Sequence, residues 1–91
     1  MKEIKVNIPE YDGRNGLEIV FENNYKIKVE INNYSNEKEC VITANKEGLI
    51  SLARQFLTLA QCPNNNHYHL DSFVGLEDGS DELVICKDDE L

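Results

Sequence analysis

Between Asn45 and Pro63 apolar residues recur every three or four positions, at Leu49, Leu52, Ala53, Phe56, Leu57, Leu59 and Ala60. Ser51, Arg54, Gln55, Thr58 and Gln61 fall on the opposite side. A period near 3.6 predicts an amphipathic helix. Asn45 is placed to cap its first turn, Glu47 suits the positive end of the helix dipole, and Pro63 stops the run near Gln61 or Cys62. Such a helix is roughly 24 Å long, enough to cross several strands. The apolar stripe is expected to lie on a sheet.

Elsewhere the period is two. Ile4, Val6 and Ile8 alternate with polar neighbours up to Pro9, predicting a first strand in place of a secretion signal. Residues 9–16, with two glycines, read as a loop, and 17–22 read as a second strand with Leu17, Ile19 and Phe21 on one face. Asn23-Asn24 suits a two-residue turn, because asparagine tolerates positive φ. Residues 25–31 form the clearest alternation, 32–37 a turn-rich connection, and 39–44 a fourth strand leading into the helix. After it come a polar loop at 64–66, a short strand at 67–71, a turn at 77–80 and a final strand at 82–87. The order β-β-β-β-α-β-β with short connections predicts an α+β domain. A curved antiparallel sheet is expected to carry the helix on one face. The other face, with Lys26, Lys28, Glu30, His67, His69 and Asp71, is expected to stay open to water. The 91 residues contain no linker or repeat and read as one domain, 1–91, with an acidic tail at 87–91.

Composition narrows the function. The hydrophobic share of 41% is that of a folded protein, and no apolar run approaches a membrane span. Nine Lys+Arg against seventeen Asp+Glu give a net charge of −8. A field of that sign repels nucleic-acid phosphates and anionic lipid, and it accelerates encounter with a basic protein. Cys40, Cys62 and Cys86 are odd in number and widely spaced, which suits reduced thiols in a cytoplasmic protein and no disulfide framework or zinc site.

Two constellations could carry chemistry or contact. His67-x-His69-x-Asp71 places two imidazoles and a carboxylate on one strand face, about 7 Å apart in sequence steps of two. These are ligand types for a divalent ion, so a small metal-dependent enzyme is one reading. A polar strand face of ordinary histidines is the plainer one. Glu77, Asp78, Asp81 and Glu82 surround a turn and lack the spacing of a calcium loop. They read as a solvated tip or an acidic contact patch for a basic partner. No nucleophile elbow or phosphate loop is present, so no catalytic, cofactor or metal assignment follows. An acidic nucleic-acid mimic would need carboxylates in two rows at phosphate-like spacing, a pattern absent here.

Asn45-Lys46-Glu47-Gly48-Leu49, the pairs Leu52-Ala53 and Leu59-Ala60, the pattern His67-x-His69-Leu70-Asp71 and the stretch from Leu76 through Glu82 to Ile85 resemble a group of bacterial immunity proteins from polymorphic-toxin systems, the family numbered thirty-two, with Ser72-Phe73-Val74 as a departure from it. The resemblance covers roughly residues 45–86. It implies a small cytoplasmic protein that binds and blocks a cognate toxin without catalysis. Its matching positions here are His69, Asp71, Gly79, Ser80 and Glu82. Together with the acidic patch, His67, His69, Asp71, Glu77, Asp78, Asp81 and Glu82 become the expected toxin contacts. Phe73 and Val74 are expected either to be buried or to touch the partner, and Tyr11, Tyr34, Tyr68 and Phe73 are candidate aromatic anchors.

Overall fold

The computed structural model describes residues 1–14 and 16–91. The expected loop over 9–16 includes Asn15, which lies outside them. Five elements follow in order: β1 (Ile27–Tyr34), β2 (Glu37–Ala44), α1 (Lys46–Ala60), β3 (His67–Leu70) and β4 (Leu83–Cys86). The α+β class and antiparallel pairing agree with expectation, but the single curved sheet does not. β1 pairs with β2 and β3 with β4 in two separate two-stranded sheets. The turn between β1 and β2 is only Ser35-Asn36, both at positive φ (41° and 75°), so the strands extend further than the asparagine-rich stretch 32–37 suggests.

The two hairpins are stitched along the outer edge of β1. Ile27 O and Val29 O accept from the backbone N–H groups of Glu77 and Asp81, each at 2.8 Å. Val29 N donates to Ser80 Oγ (3.2 Å) and Ile31 N to Asp81 Oδ2 (2.7 Å). Side-chain oxygens therefore stand in for the carbonyls of a regular partner strand. Gly79, at φ 80°, turns the segment so that Ser80 and Asp81 reach that edge.

No strand forms in residues 1–26 among those described, which corrects the expectation of strands at 4–8 and 17–22. The Asn23-Asn24 turn is present, with Asn24 at φ 63°, but no paired strands flank it. This leading segment docks on α1 instead. Arg54 Nε donates to Asn7 O (2.8 Å), Gln61 Nε2 to Pro9 O (2.7 Å) and Gln55 Nε2 to Val20 O (3.1 Å). Glu22 N donates to Ser51 Oγ (2.9 Å), and its carboxylate meets the Arg54 guanidinium at 2.7 Å. Polar helix side chains satisfy backbone groups that a sheet would otherwise pair.

That docking rotates the helix from the expected orientation, keeping Leu52 and Leu59 in the core. Gly48, Ser51, Leu52, Gln55, Thr58 and Leu59 are buried, whereas Leu49, Phe56 and Leu57 are about half exposed. Ser51 and Thr58 tolerate burial because each hydroxyl donates back to the carbonyl four residues earlier, Glu47 O and Arg54 O. Asn45 caps the helix as expected, accepting from Gly48 N at 2.8 Å. It also accepts from Lys26 N (2.9 Å) and donates to Asn24 O (2.9 Å), tying the helix start to the entry of β1.

Two apolar clusters result. Ile27, Val29, Leu52, Leu70 and Leu76 form one, flanked by Phe21 stacked on Tyr25. Leu59, Cys62 and Tyr68 form the other. Burial pushes the Tyr68 phenol above its ordinary value of 10.0, outweighing the opposing hydrogen bond with Thr58. Its hydroxyl donates to Glu18 O at 2.8 Å. A folded pKa above the unfolded one contributes stability that is complete below pH 10 and lost as pH rises through the folded value. Tyr68→Phe is expected to cost about 1 kcal/mol at pH 7 through the lost bond. The variant's stability should then fall less steeply than the wild type's above pH 10, as urea unfolding at several alkaline pH values would show. Equal slopes would contradict this.

Candidate functional site

In the β3–β4 hairpin the period of two divides the side chains cleanly. Tyr68 and Leu70 point into the core, while His67 and His69 face outward opposite Cys86 and Val84. Leu70 pairs with Leu83, so the next step along each strand sets Asp71 beside Glu82. His69 Nε2 lies 3.3 Å from Glu82 Oε2, and the ligand atoms of His69, Asp71 and Glu82 all lie within 4.8 Å of one another. His67 stands outside this group, with Nδ1 3.4 Å from Asn65 O. The triplet read from the sequence is therefore regrouped: Glu82 replaces His67. Among the described residues this is the one grouping with metal-ligand spacing.

Asp71 has a structural task as well. Its Oδ1 accepts from Phe73 N (2.9 Å) and Val74 N (2.8 Å), and its carbonyl accepts from Val74 N and Leu76 N. This holds a tight loop with Phe73 at its tip, 94% exposed. Gly75, at φ 93°, closes the loop where an added Cβ would lie 2.9 Å from the Phe21 ring. Exposure overturns the burial reading of Phe73. Tyr34 is also exposed, whereas Tyr68 is buried and cannot anchor a partner.

The seven expected contact residues thus separate by task. His67, His69, Glu77, Asp78 and Glu82 are solvent-facing. Asp71 and Asp81 use side-chain oxygens to hold backbone, Asp81 through Ile31 N. Asp81→Ala is expected to destabilise the fold by about 1–2 kcal/mol, because it strips an acceptor from the β1 edge. Asp78→Ala, at an exposed tip, should stay within about 0.5 kcal/mol. Paired denaturation curves would separate them, and similar losses would refute the division.

Electrostatically the C-terminal third stands apart. Asp71, Glu77, Asp78, Asp81, Glu82, Asp88, Asp89 and Glu90 face only one basic residue in that stretch, Lys87. Lys87 Nζ is itself engaged by Asp89 Oδ2 (2.8 Å) and Cys62 O (3.1 Å). Exposed Phe73, Val74 and Val84 interrupt the acids with apolar surface. An acidic field speeds encounter with oppositely charged surfaces. Phe73 and Val74 were visible in sequence as an apolar break in a polar loop. Val84 was not, since it sits in a nearly continuous apolar run, Leu83 to Cys86, that gives no sign of which side faces out.

No curated protein and no solved structure matches this chain. The profile of one protein family does, over residues 39–88, from β2 through α1 and β3 to just past β4. That span holds the helix, the Asp71 loop, the 77–81 stitch and every acid of the C-terminal third except Asp89 and Glu90. The chain belongs to the family described as Immunity protein 32.

Proposed function

We propose that this protein is a cytoplasmic, non-catalytic immunity protein that binds a cognate toxin domain of basic character and occludes it with the acidic surface of residues 67–90. One observation carries the reading. Within the family-matched stretch, Glu77, Asp78 and Glu82 and the apolar Phe73, Val74 and Val84 are all exposed, within a dozen residues of one another in the chain. Carboxylates steer encounter, and apolar side chains set residence time. A nuclease, whose substrate groove is basic, fits this chemistry.

The test is co-expression with the product of the adjacent upstream gene, catalytically crippled, followed by size exclusion at about 150 mM salt. The expected result is a stable complex that loosens as salt rises. Absence of a complex would overturn the proposal. A metal-dependent enzyme built on His69, Asp71 and Glu82 is the competing reading, favoured by their spacing. Against it, Asp71 Oδ1 is engaged by two backbone N–H groups and all three residues reach solvent. Chelator treatment is therefore expected to leave the Tm and toxin binding unchanged. A chelator-sensitive Tm would favour the metal reading.

A further inference from the structure

β1 is closed on its outer edge, but β2 is not. Because Ile27, Val29 and Ile31 direct their backbone groups toward residues 77–81, their cross-strand neighbours Ala44, Ile42 and Cys40 direct theirs away from β1. Among the described residues no group pairs with the outward N–H and C=O groups of Lys38, Cys40 and Ile42. An unpaired edge of eight residues is a template for another strand. It is also apolar on the face it shares with the core: Ile31 and Ile42 are 52% and 40% exposed, and Cys40 is exposed. Ala44 packs against Gly48, and the next residue, Leu49, continues exposed apolar surface onto α1.

We propose that this edge is occupied by a second copy of the chain, with β2 pairing antiparallel to β2 about a two-fold axis at Val41. Charge supports self-association here. Residues 26–47 carry Lys26, Lys28, Lys38 and Lys46 against Glu30, Glu37, Glu39 and Glu47, a local balance inside a chain of −8. The nearest concentration of acids, at 77–81, lies on the far edge of β1. That is two strand spacings away, about 10 Å, beyond the roughly 8 Å over which physiological salt screens charge.

The register is also self-complementary. Centred on Val41, it sets Val41 against the partner's Val41 and Cys40 against the partner's Ile42. Glu39 meets the partner's Thr43, and Lys38 meets the partner's Ala44. Sliding the axis to Cys40 opposes Lys38 to the partner's Ile42 and Glu39 to the partner's Val41. Sliding it to Glu39 opposes two glutamates, which is destabilising. The Val41 register sets Val41 on Val41 on one face and Cys40 on Ile42 on the other.

The proposal goes beyond toxin binding and does not depend on it. Sedimentation equilibrium of the full chain, from about 5 to 500 μM, is expected to show a mass rising from 10.4 kDa toward twice that value. Val41→Lys and Val41→Glu, half-buried positions on the hairpin's other face, should each be monomeric where wild type is dimeric, with unchanged circular dichroism. An equimolar mixture of the two should dimerise again, because lysine then faces glutamate at the axis. A monomeric wild type overturns the proposal, as does a dimer indifferent to both variants or a mixture that stays monomeric. A monomeric wild type whose toxin affinity falls in Val41→Lys would give the edge to the toxin instead.

Discussion

Gly48→Ala is expected to destabilise the protein by about 2 kcal/mol, a fall in Tm on the order of 10 °C for a domain of this size. The sign is the informative part. In an exposed helix the same change stabilises by about 1 kcal/mol, since alanine is the better helix former. Here a Cβ would sit inside contact distance of Lys26 O and 3.0 Å from both Ala44 Cβ and Ile27 Cγ1. Two of these neighbours are fixed. Lys26 O accepts from Asn45 N, and Ile27 is fully buried. Overpacking against such neighbours typically costs about 1–3 kcal/mol, and the displaced carbonyl also strains the cap built on Asn45. Thermal unfolding followed by circular dichroism decides the matter. A stabilised Gly48→Ala variant would mean that α1 does not approach β1 and β2 this closely.

Reversing three exposed charges together, Glu77→Lys, Asp78→Lys and Glu82→Lys, is expected to slow toxin association about 100-fold at low salt. That is the span between steered and unsteered encounter. None of the three side chains holds backbone: Glu77 contributes its own backbone to β1, Asp78 is at the turn, and the Glu82 carboxylate bonds only to His69 among the described residues. The Tm should therefore move little while kinetics change. The deficit should shrink as salt rises, because screening weakens steering in the wild type. Dissociation is expected to respond instead to Phe73→Ala, which removes an apolar contact and no charge. Stopped-flow association at two ionic strengths separates the effects. An unchanged association rate would remove the acidic surface from the interface.

Local chemistry in the sequence located α1, β3 and β4 to within a residue or two. Asn45, Pro63, the alternation around Tyr68 and the apolar run around Val84 each act over a few residues. Helix orientation was not legible. Periodicity says which residues share a face, not which face is covered. Ser51 and Thr58 looked polar, yet their hydroxyls are spent on their own helix, and Arg54, Gln55 and Gln61 serve the backbone of residues 7–22. The alternation at Ile4, Val6 and Ile8 likewise suggested a strand whose partner does not exist among the described residues. At the site, the family resemblance and the outward histidines were readable. The meeting of Asp71 with Glu82 was not, because strand register sets it over ten intervening positions. Asp81 resembled its acidic neighbours in composition and differs only in accepting from Ile31 N.

The stitch along β1 also sets an order of events in folding. The helix and each hairpin close over short stretches, whereas the bonds from Val29 and Ile31 to Ser80 and Asp81 join residues about fifty positions apart. Local elements form in microseconds, and distant closure waits on a larger loss of chain entropy. Until it happens, a strand containing Ile27, Val29 and Ile31 carries an open edge. A chain interrupted before Ser80 keeps that edge permanently. Damage to the last third of this protein is therefore expected to appear as aggregation at its first hairpin, half a sequence away.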